Sequence, residues 1–311
     1  MTSATIVERT AISIERADKN AAILVTSGPE AIAIRAGTVI HINGNAHTFE
    51  KETGLGVSGT IVPGYDYGVG INEFGKPVVE IFAGKNAADA AYFAGFHFAP
   101  GGNASGTAGG DTVASINPYS IWDVGFRPSC ADPRGMALVE LPGANRFWAD
   151  IYLLAADHAK HGTSRCGVTI ADGADLPERP DGGGRYKKLD FATASEIYAH
   201  HGKRLLGAEE FFAAAYGVKE RCSRSAEPIR TGAMKDDAER FISQRGLFDV
   251  TGTMWQWGTD GHPHDPRPSI FGGSWFSGSN AGSRYANLGY WPEDSVGDLS
   301  ARGGSDHLSP V

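Results

Sequence analysis

Cysteine is scarce in this chain: three residues, Cys130, Cys166 and Cys222, stand among 311. They lie far apart with no CxxC pair, which excludes a disulfide framework and a zinc knuckle and leaves three reduced, partly buried thiols. Long apolar runs are missing as well, since no stretch approaches the roughly 20 apolar residues of a membrane span. The opening residues MTSATIVERTAISIERADKN carry charges where a secretory signal needs an apolar core, so neither a signal peptide nor membrane insertion is expected. Positive charge is in deficit: 28 Lys and Arg face 36 Asp and Glu, a net charge of −8, and the basic residues form no stripe. That argues against a phosphate-tracking surface, so nucleic acid is not an expected partner. No 20–50-residue repeat that would build a propeller or solenoid is visible either.

Glycine, by contrast, is abundant. The 42 Gly are roughly twice the usual 7% and point to many turns and irregular loops. Over residues 21–115 the runs AAILVTSG, AIAIRAGTVIHING, GTIVPGYDYGVGI and KPVVEIFAG read as short strands between turn signals. AADAAYFAGF at 87–96 reads as a brief helix. GGNASGTAGGDT at 101–112 is too small and polar to hold a structure of its own. It divides the chain into a β-rich N-terminal domain over 1–112 and a second domain over 113–311.

In the second domain MALVELPGANRFWADIYLL reads as strands, and residues 186–218 are the only sustained helical region. Thr193 and Glu196 have capping-box spacing and Gly202 fits a helix stop; GAEEFFAAAYG is a second helix closed by Gly217. Strands followed by a helical pair and more strands make the class α+β.

Most chemistry-like clusters read better as loops. His262 and His264 in HPHDP are two apart, a metal-compatible spacing on a strand, but the prolines around them favour an exposed turn. The carboxylates of 172–185 and 258–266 lack EF-hand spacing. The glycines of 68–75 and 182–185 lack the strand–turn–helix setting of a phosphate loop. Ser305, Asp306 and His307 are adjacent, so an extended backbone points them to opposite faces and no triad assembles. The reading is therefore no catalytic residue, no metal and no cofactor.

Residues 272–308, GGSWFSGSNAGSRYANLGYWPEDSVGDLSARGGSDHL, crowd Gly, Ser and Asn between aromatics. On extended backbone, alternate residues such as Phe276, Gly278 and Asn280, or Asp294, Val296 and Asp298, share a face. Aromatics give large contact area with few rotatable bonds, and Ser, Gly and Asn give adaptable hydrogen bonding, the mixture that antibody paratopes use. A glycine-rich core edge would have a similar composition.

Three blocks stand in a recognisable order: HGKRLLGAEEFFAAAYG at 201–217, GLFDVTGTMWQWGTD at 246–260, and FGGSWFSGSNAGSRYANLG at 271–289 closing on ARG at 301–303. Together they resemble the formylglycine-generating-enzyme branch of the C-type lectin fold. The enzymes of that branch work through cysteine near the last block, whereas here no cysteine follows Cys222. GGSW, AGSR, the YWP segment and ARGGSDHL resemble more narrowly the variable proteins of diversity-generating retroelements, including phage tropism determinants.

This resemblance implies a C-terminal C-type-lectin-like domain, with a hypervariable ligand-binding region over about 262–311, behind a β-rich N-terminal domain that would suit attachment or oligomerisation. It assigns Gly272, Gly273, Ser274, Trp275, Ala281, Gly282, Ser283, Arg284, Ala301, Arg302, Asp306 and His307 to the frame. Phe276, Gly278, Asn280, Asn287, Gly289, Tyr290, Asp294, Val296 and Asp298 match the variable set, with Ser277, Ser279, Tyr285 and Glu293 as neighbours. Phe276 and Tyr290 are the expected aromatic anchors, and Asp294 and Asp298 an acidic bias. The implied partner is a protein or other cell-surface macromolecule, and the implied assembly a homo-oligomer such as a trimer. The expected location is a phage or prophage virion tail or the cytoplasm, and no enzyme activity is expected. Two alternatives stand beside this reading: a formylglycine-generating-enzyme-like oxidase, and a calcium-dependent sugar-binding lectin.

Overall fold

A computed structural model describes residues 11–57, 59–82, 92–107, 109–143, 145–234, 240–262 and 264–308. Its architecture is mostly β, with three short α-helices among the described residues, His158–His161, Phe191–His200 and Ala208–Ala214.

The N-terminal strands form two three-stranded antiparallel sheets. One pairs Ile12–Glu15 with Thr38–Ile42 and that strand with Asn45–Phe49; the other pairs Ala31–Ile34 with both Leu24–Gly28 and Thr53–Leu55. A five-stranded sheet follows, in which Ala94–Ala99 runs between Tyr65–Ile71 and the short strands Ser115–Ile116 and Trp122–Asp123, with Pro77–Ile81 at the far edge. All six residues of Ala94–Ala99 are buried. The helix expected over 87–96 is therefore strand at its described end, because a short apolar run buried on both faces has no period that separates the two; residues 87–91 lie outside the described ones. Apolar packing is continuous from Ile23, Ile34 and Val69 through Phe96 and Trp122 to Met136 and Trp148.

Asp123 ties this region together. Its fully buried carboxylate accepts from both terminal nitrogens of Arg16 at 2.7 and 2.8 Å and from the Ile23 and Gly125 amides at 3.0 and 2.9 Å. A buried carboxylate with this many donors escapes the cost of an unpaired charge.

Beyond residue 123 the chain builds two more sheets. In one, the last described strand, Gly303–Leu308, lies between Arg146–Asp150 and Arg127–Pro128 and also pairs with Arg204–Leu205. The other joins Ala286–Asn287, Pro268–Phe271, Trp255–Gly261 and Leu299–Ala301, the last pair parallel. Both helices of 186–218 form, but the first starts before the expected box: Asp190 is the cap, accepting from the Thr193 amide at 2.8 Å. An aspartate suits a helix N-terminus by hydrogen bonding and by the helix dipole, and Glu196 instead accepts from the Tyr186 hydroxyl. Gly202 and Gly217, at φ 67° and 97°, follow the two helices in the left-handed region, where glycine is favoured.

Half-buried histidines held neutral make this packing acid-sensitive. Burial, with Lys203, His158 and His200 adding, pushes the His201 pKa down to about 3, and burial with Arg146 nearby pushes that of His307 down to about 4. Below the ordinary value near 6.5 the unfolded chain takes up protons that the folded chain refuses, so stability is full above pH 6.5 and falls towards pH 4. Burial raises Asp172 and Asp298, which act in the opposite sense but only at the lower, carboxylate end of that window. Thermal unfolding followed from pH 7 to pH 5 should lose on the order of 5 °C, and a flat profile across this interval would refute the assignment.

Candidate functional site

The residues singled out near the C-terminus fall mostly in the connections between strands of the sheet that contains Trp255–Gly261. Trp257 is buried beneath it, its indole N–H donating to the Leu189 carbonyl at 3.3 Å and its ring 6.0 Å from that of Phe191. Gln256, between the two tryptophans, accepts from Arg302 Nε at 2.9 Å and donates to the Val250 carbonyl.

From Phe271 the chain leaves the sheet through Gly272 and Gly273, both left-handed at φ 91° and 81°. A Cβ on Gly273 would lie 2.7 Å from that of Ala281, so this crossing requires glycine. The Gly272 amide donates to the Tyr285 carbonyl at 2.9 Å and its carbonyl accepts from the Gly282 amide at 3.1 Å, closing 272–285 into a loop. Trp275 roots the loop against Leu153, Ile170 and Met254.

Outside this frame, Phe276 is 61% exposed, its ring 4.9 Å from that of Trp275, and Gly278, Ser279 and Asn280 are exposed beside it. Asn287, Gly289, Glu293 and Val296 are exposed and Tyr285 is half-buried. Most of the expected residues are thus exposed, and besides Tyr285 the exceptions are Ser277, Tyr290, Asp294 and Asp298. The Ser277 hydroxyl is engaged within the loop, accepting from the Ser274 amide at 2.9 Å. Asp294 Oδ2 accepts from the Trp291 amide at 2.7 Å, capping a turn. Asp298 lies under the surface at 7% exposure; burial raises its pKa, and the Tyr290 hydroxyl is 3.5 Å away. Tyr290 itself is half-buried against the core below.

Trp291 is missing from the expected set. It is 51% exposed and Arg267 lies 5.1 Å from its ring centre, with that guanidinium held by both oxygens of Asp265 at 2.8 and 2.6 Å. The signal was its place in a polar loop: a large aromatic among Gly, Pro and Glu has little to pack against. Other residues that shape the site, Glu220 and Ser223, lie far upstream and carry no motif.

Motifs outside this surface have structural roles. Ser305 is buried, 3.0 Å from the Ser129 hydroxyl and accepting from the Cys130 amide; Asp306 is exposed and pairs with Arg204; His307 Nδ1 accepts from the Trp148 indole at 2.9 Å. His262 and His264 sit on the turn of the 255–271 hairpin, their rings 6.2 Å apart. Arg284 is exposed and lies 5.0 Å over the Phe212 ring. A cavity of about 600 Å³ lies elsewhere, between Pro63–Asp66 and Lys160–Val168, and no described residue of 262–308 lines it.

Comparison with known proteins gives a consistent result. The family model described as the Mtd second domain matches residues 22–123. The tail fiber receptor-binding protein of Bordetella phage BPP-1 is 34% identical over 325 residues, covering 94% of this chain and 84% of that protein. The solved structure of the Major Tropism Determinant U1 variant superposes with a TM-score of 0.86 at 35% identity, covering 96% of this chain and 86% of that one; the P3c variant does so with 0.86 at 34%, with the same coverage.

Proposed function

Because this chain belongs to the family of the Major Tropism Determinant and the Bordetella phage tail fiber receptor-binding protein, we propose that it is a hypervariable receptor-recognition protein of a phage tail. Its target is a host cell-surface macromolecule, and its coding sequence is diversified by a retroelement. The second part is the C-type-lectin-like one, with the division from the β-rich part near residue 113; the sheet of the first part continues past that point through Ser115–Ile116 and Trp122–Asp123. Display as a homo-oligomer would raise weak single-site affinity by avidity.

The observation that carries this reading is the closed loop of 272–285, which presents Phe276, Ser279 and Asn280 outwards while its backbone is bonded back to Gly272 and Thr253. Asn287, Gly289, Tyr290, Glu293 and Val296 extend the surface, with Trp291 as a further aromatic anchor. Gly278, at φ 58°, accepts other residues there only with the modest strain of the left-handed region. The relatives are a receptor-binding protein and tropism determinants, which favours this reading over an oxidase or a calcium-dependent lectin. Burial also pushes the Cys166 thiol up to about 11, leaving little of the thiolate that cysteine chemistry needs.

Two measurements test it. Beside the gene, a near-copy of the coding sequence for 262–311 that differs at adenines should accompany a reverse transcriptase; without one, retroelement diversification falls. A library randomised at Phe276, Ser279, Asn280, Asn287, Tyr290 and Val296 and panned against lysozyme should yield folded binders. Recovery of none, or of unfolded chains alone, removes the case for a display surface.

A further inference from the structure

Each backbone group that leaves regular structure needs a partner, so the loop 275–283 poses an accounting question. Within the loop the Ser277 amide donates to the Ser274 carbonyl and the Asn280 amide to the Ser277 carbonyl, each at 3.0 Å. The Trp275 amide donates to the Thr253 carbonyl at 2.9 Å and the Gly282 amide to the Gly272 carbonyl at 3.1 Å, and a further set of bonds leads to the short segment 220–223, 52 to 63 residues upstream. The Ser223 hydroxyl donates to the Trp275 carbonyl at 3.1 Å and accepts from the Gly278 amide at 2.9 Å. The Arg221 amide donates to the Ala281 carbonyl at 2.9 Å. Glu220 accepts from the Ser283 amide at 3.2 and 3.1 Å and from the Ser283 hydroxyl at 2.5 Å.

These contacts share one property. They reach main-chain atoms and the side chain of Ser283, and none reaches the side chain of Phe276, Ser279 or Asn280. Their own base is rigid: Arg224 is buried, its amide bonded to the Gly252 carbonyl at 2.8 Å and its guanidinium to Asp249 Oδ1 at 2.6 Å, and its charge 4.9 Å over the Phe241 ring.

We infer that Glu220 and Ser223 are positioning residues for the recognition surface, holding the backbone of 275–283 in place whatever side chains occupy 276, 279 and 280. The inference rests on the recognition reading above for its purpose, but its physical content is independent of any ligand. A target then meets a surface whose shape is set before binding, and less ordering cost is taken from each new side-chain combination. Ser277, whose hydroxyl is engaged with Ser274, belongs with the frame by the same reasoning.

Glu220 is exposed and Ser223 half-buried, so removing both side chains should leave the fold intact. Amide hydrogen exchange of the full chain separates the local effect from the global one. In a Phe276→Ser, Ser279→Tyr, Asn280→Tyr variant, the Gly278 and Ser283 amides should exchange as slowly as in the parent. In Glu220→Ala with Ser223→Ala, the same two amides should exchange at least about tenfold faster, while the amides of Arg146–Asp150 and Gly303–Leu308 and the unfolding temperature stay unchanged. Glu220→Gln, which keeps an acceptor, should recover part of the protection at Ser283.

Equal exchange in the clamp variant and parent, or acceleration by the loop substitutions with the clamp intact, overturns the inference. For a library member selected on lysozyme, the clamp variant should raise koff about tenfold, and by a similar factor for members with different residues at 276, 279 and 280. An unchanged koff overturns the positioning role. Failure of the library to yield lysozyme binders removes the recognition reading and leaves the exchange experiment to decide the clamp.

Discussion

Replacing Arg302 by methionine should destabilise the protein by on the order of 3–5 kcal/mol, the usual cost of removing one partner from a buried charged network. Arg302 is 1% exposed, and its guanidinium donates to four oxygens: Gln256 Oε1 at 2.9 Å and the carbonyls of Asp150, Ile151 and Phe248 at 2.6, 2.8 and 2.7 Å. Burial lowers its pKa to about 10, still well above neutrality, with Asp249, Tyr198 and Asp150 offsetting the charge. Methionine would fill most of the stem but take the guanidinium donors from all four acceptors, of which the Ile151 carbonyl keeps the Phe248 amide at 2.8 Å and Gln256 Oε1 is left buried without its donor. Because these acceptors come from both C-terminal sheets and the turn before Trp255, the loss should spread to the recognition surface. Lysine keeps the charge but cannot span four acceptors with one ammonium, so Arg302→Lys should retain only part of the stability. Urea unfolding measures both; a methionine variant within about 1 kcal/mol of the parent would show that this network is not what holds the sheets together.

Asp66→Ala should come second, at on the order of 3 kcal/mol. Asp66 faces His97 across two paired strands of the first half. Its Oδ1 accepts from His97 Nδ1 at 3.2 Å and from the Gly135 amide at 2.9 Å, with Arg165 3.5 Å from Oδ2; His97 Nε2 is in turn 2.9 Å from the Tyr152 hydroxyl. Burial alone would push the Asp66 pKa up, but His97, Arg165 and the Gly135 N–H outweigh it and hold the carboxylate ionised. Gly135, Tyr152 and Arg165 all lie beyond residue 112, so the alanine variant loosens the joint between the two halves and orphans a buried imidazole. Asp66→Asn keeps one acceptor and should cost less. Equal unfolding midpoints for the alanine variant and the parent would mean that apolar packing through Trp122 and Trp148 carries the joint alone.

Much of what frames and exposes the proposed recognition surface was legible in the sequence, and the reason is local. GGSW needs left-handed backbone at Gly272 and Gly273, WQW alternates across a strand, and Phe276 stands among residues with nothing to bury it. Such features depend on residue type and period, which a sequence states directly. Asp298 was not legible, because nothing nearby in sequence reports that its alternate position points inwards beside Tyr290. For Trp291 the sequence signalled exposure by its place among Gly, Pro and Glu, but its contact with Arg267, held by Asp265, depends on where a distant hairpin turn lies.

The sequence by itself determined the scarcity of helix-forming periodicity, the turn-rich β texture, the glycine crossings and the membership of a recognition family. Only the tertiary structure decided that Asp190 caps the first long helix, that Ala94–Ala99 is a buried strand, and that Glu220 and Ser223 hold a loop some fifty residues away. Short-range preferences are written in residue type and spacing. Which polar atom satisfies which distant backbone group is settled only when burial makes every unpaired donor and acceptor costly.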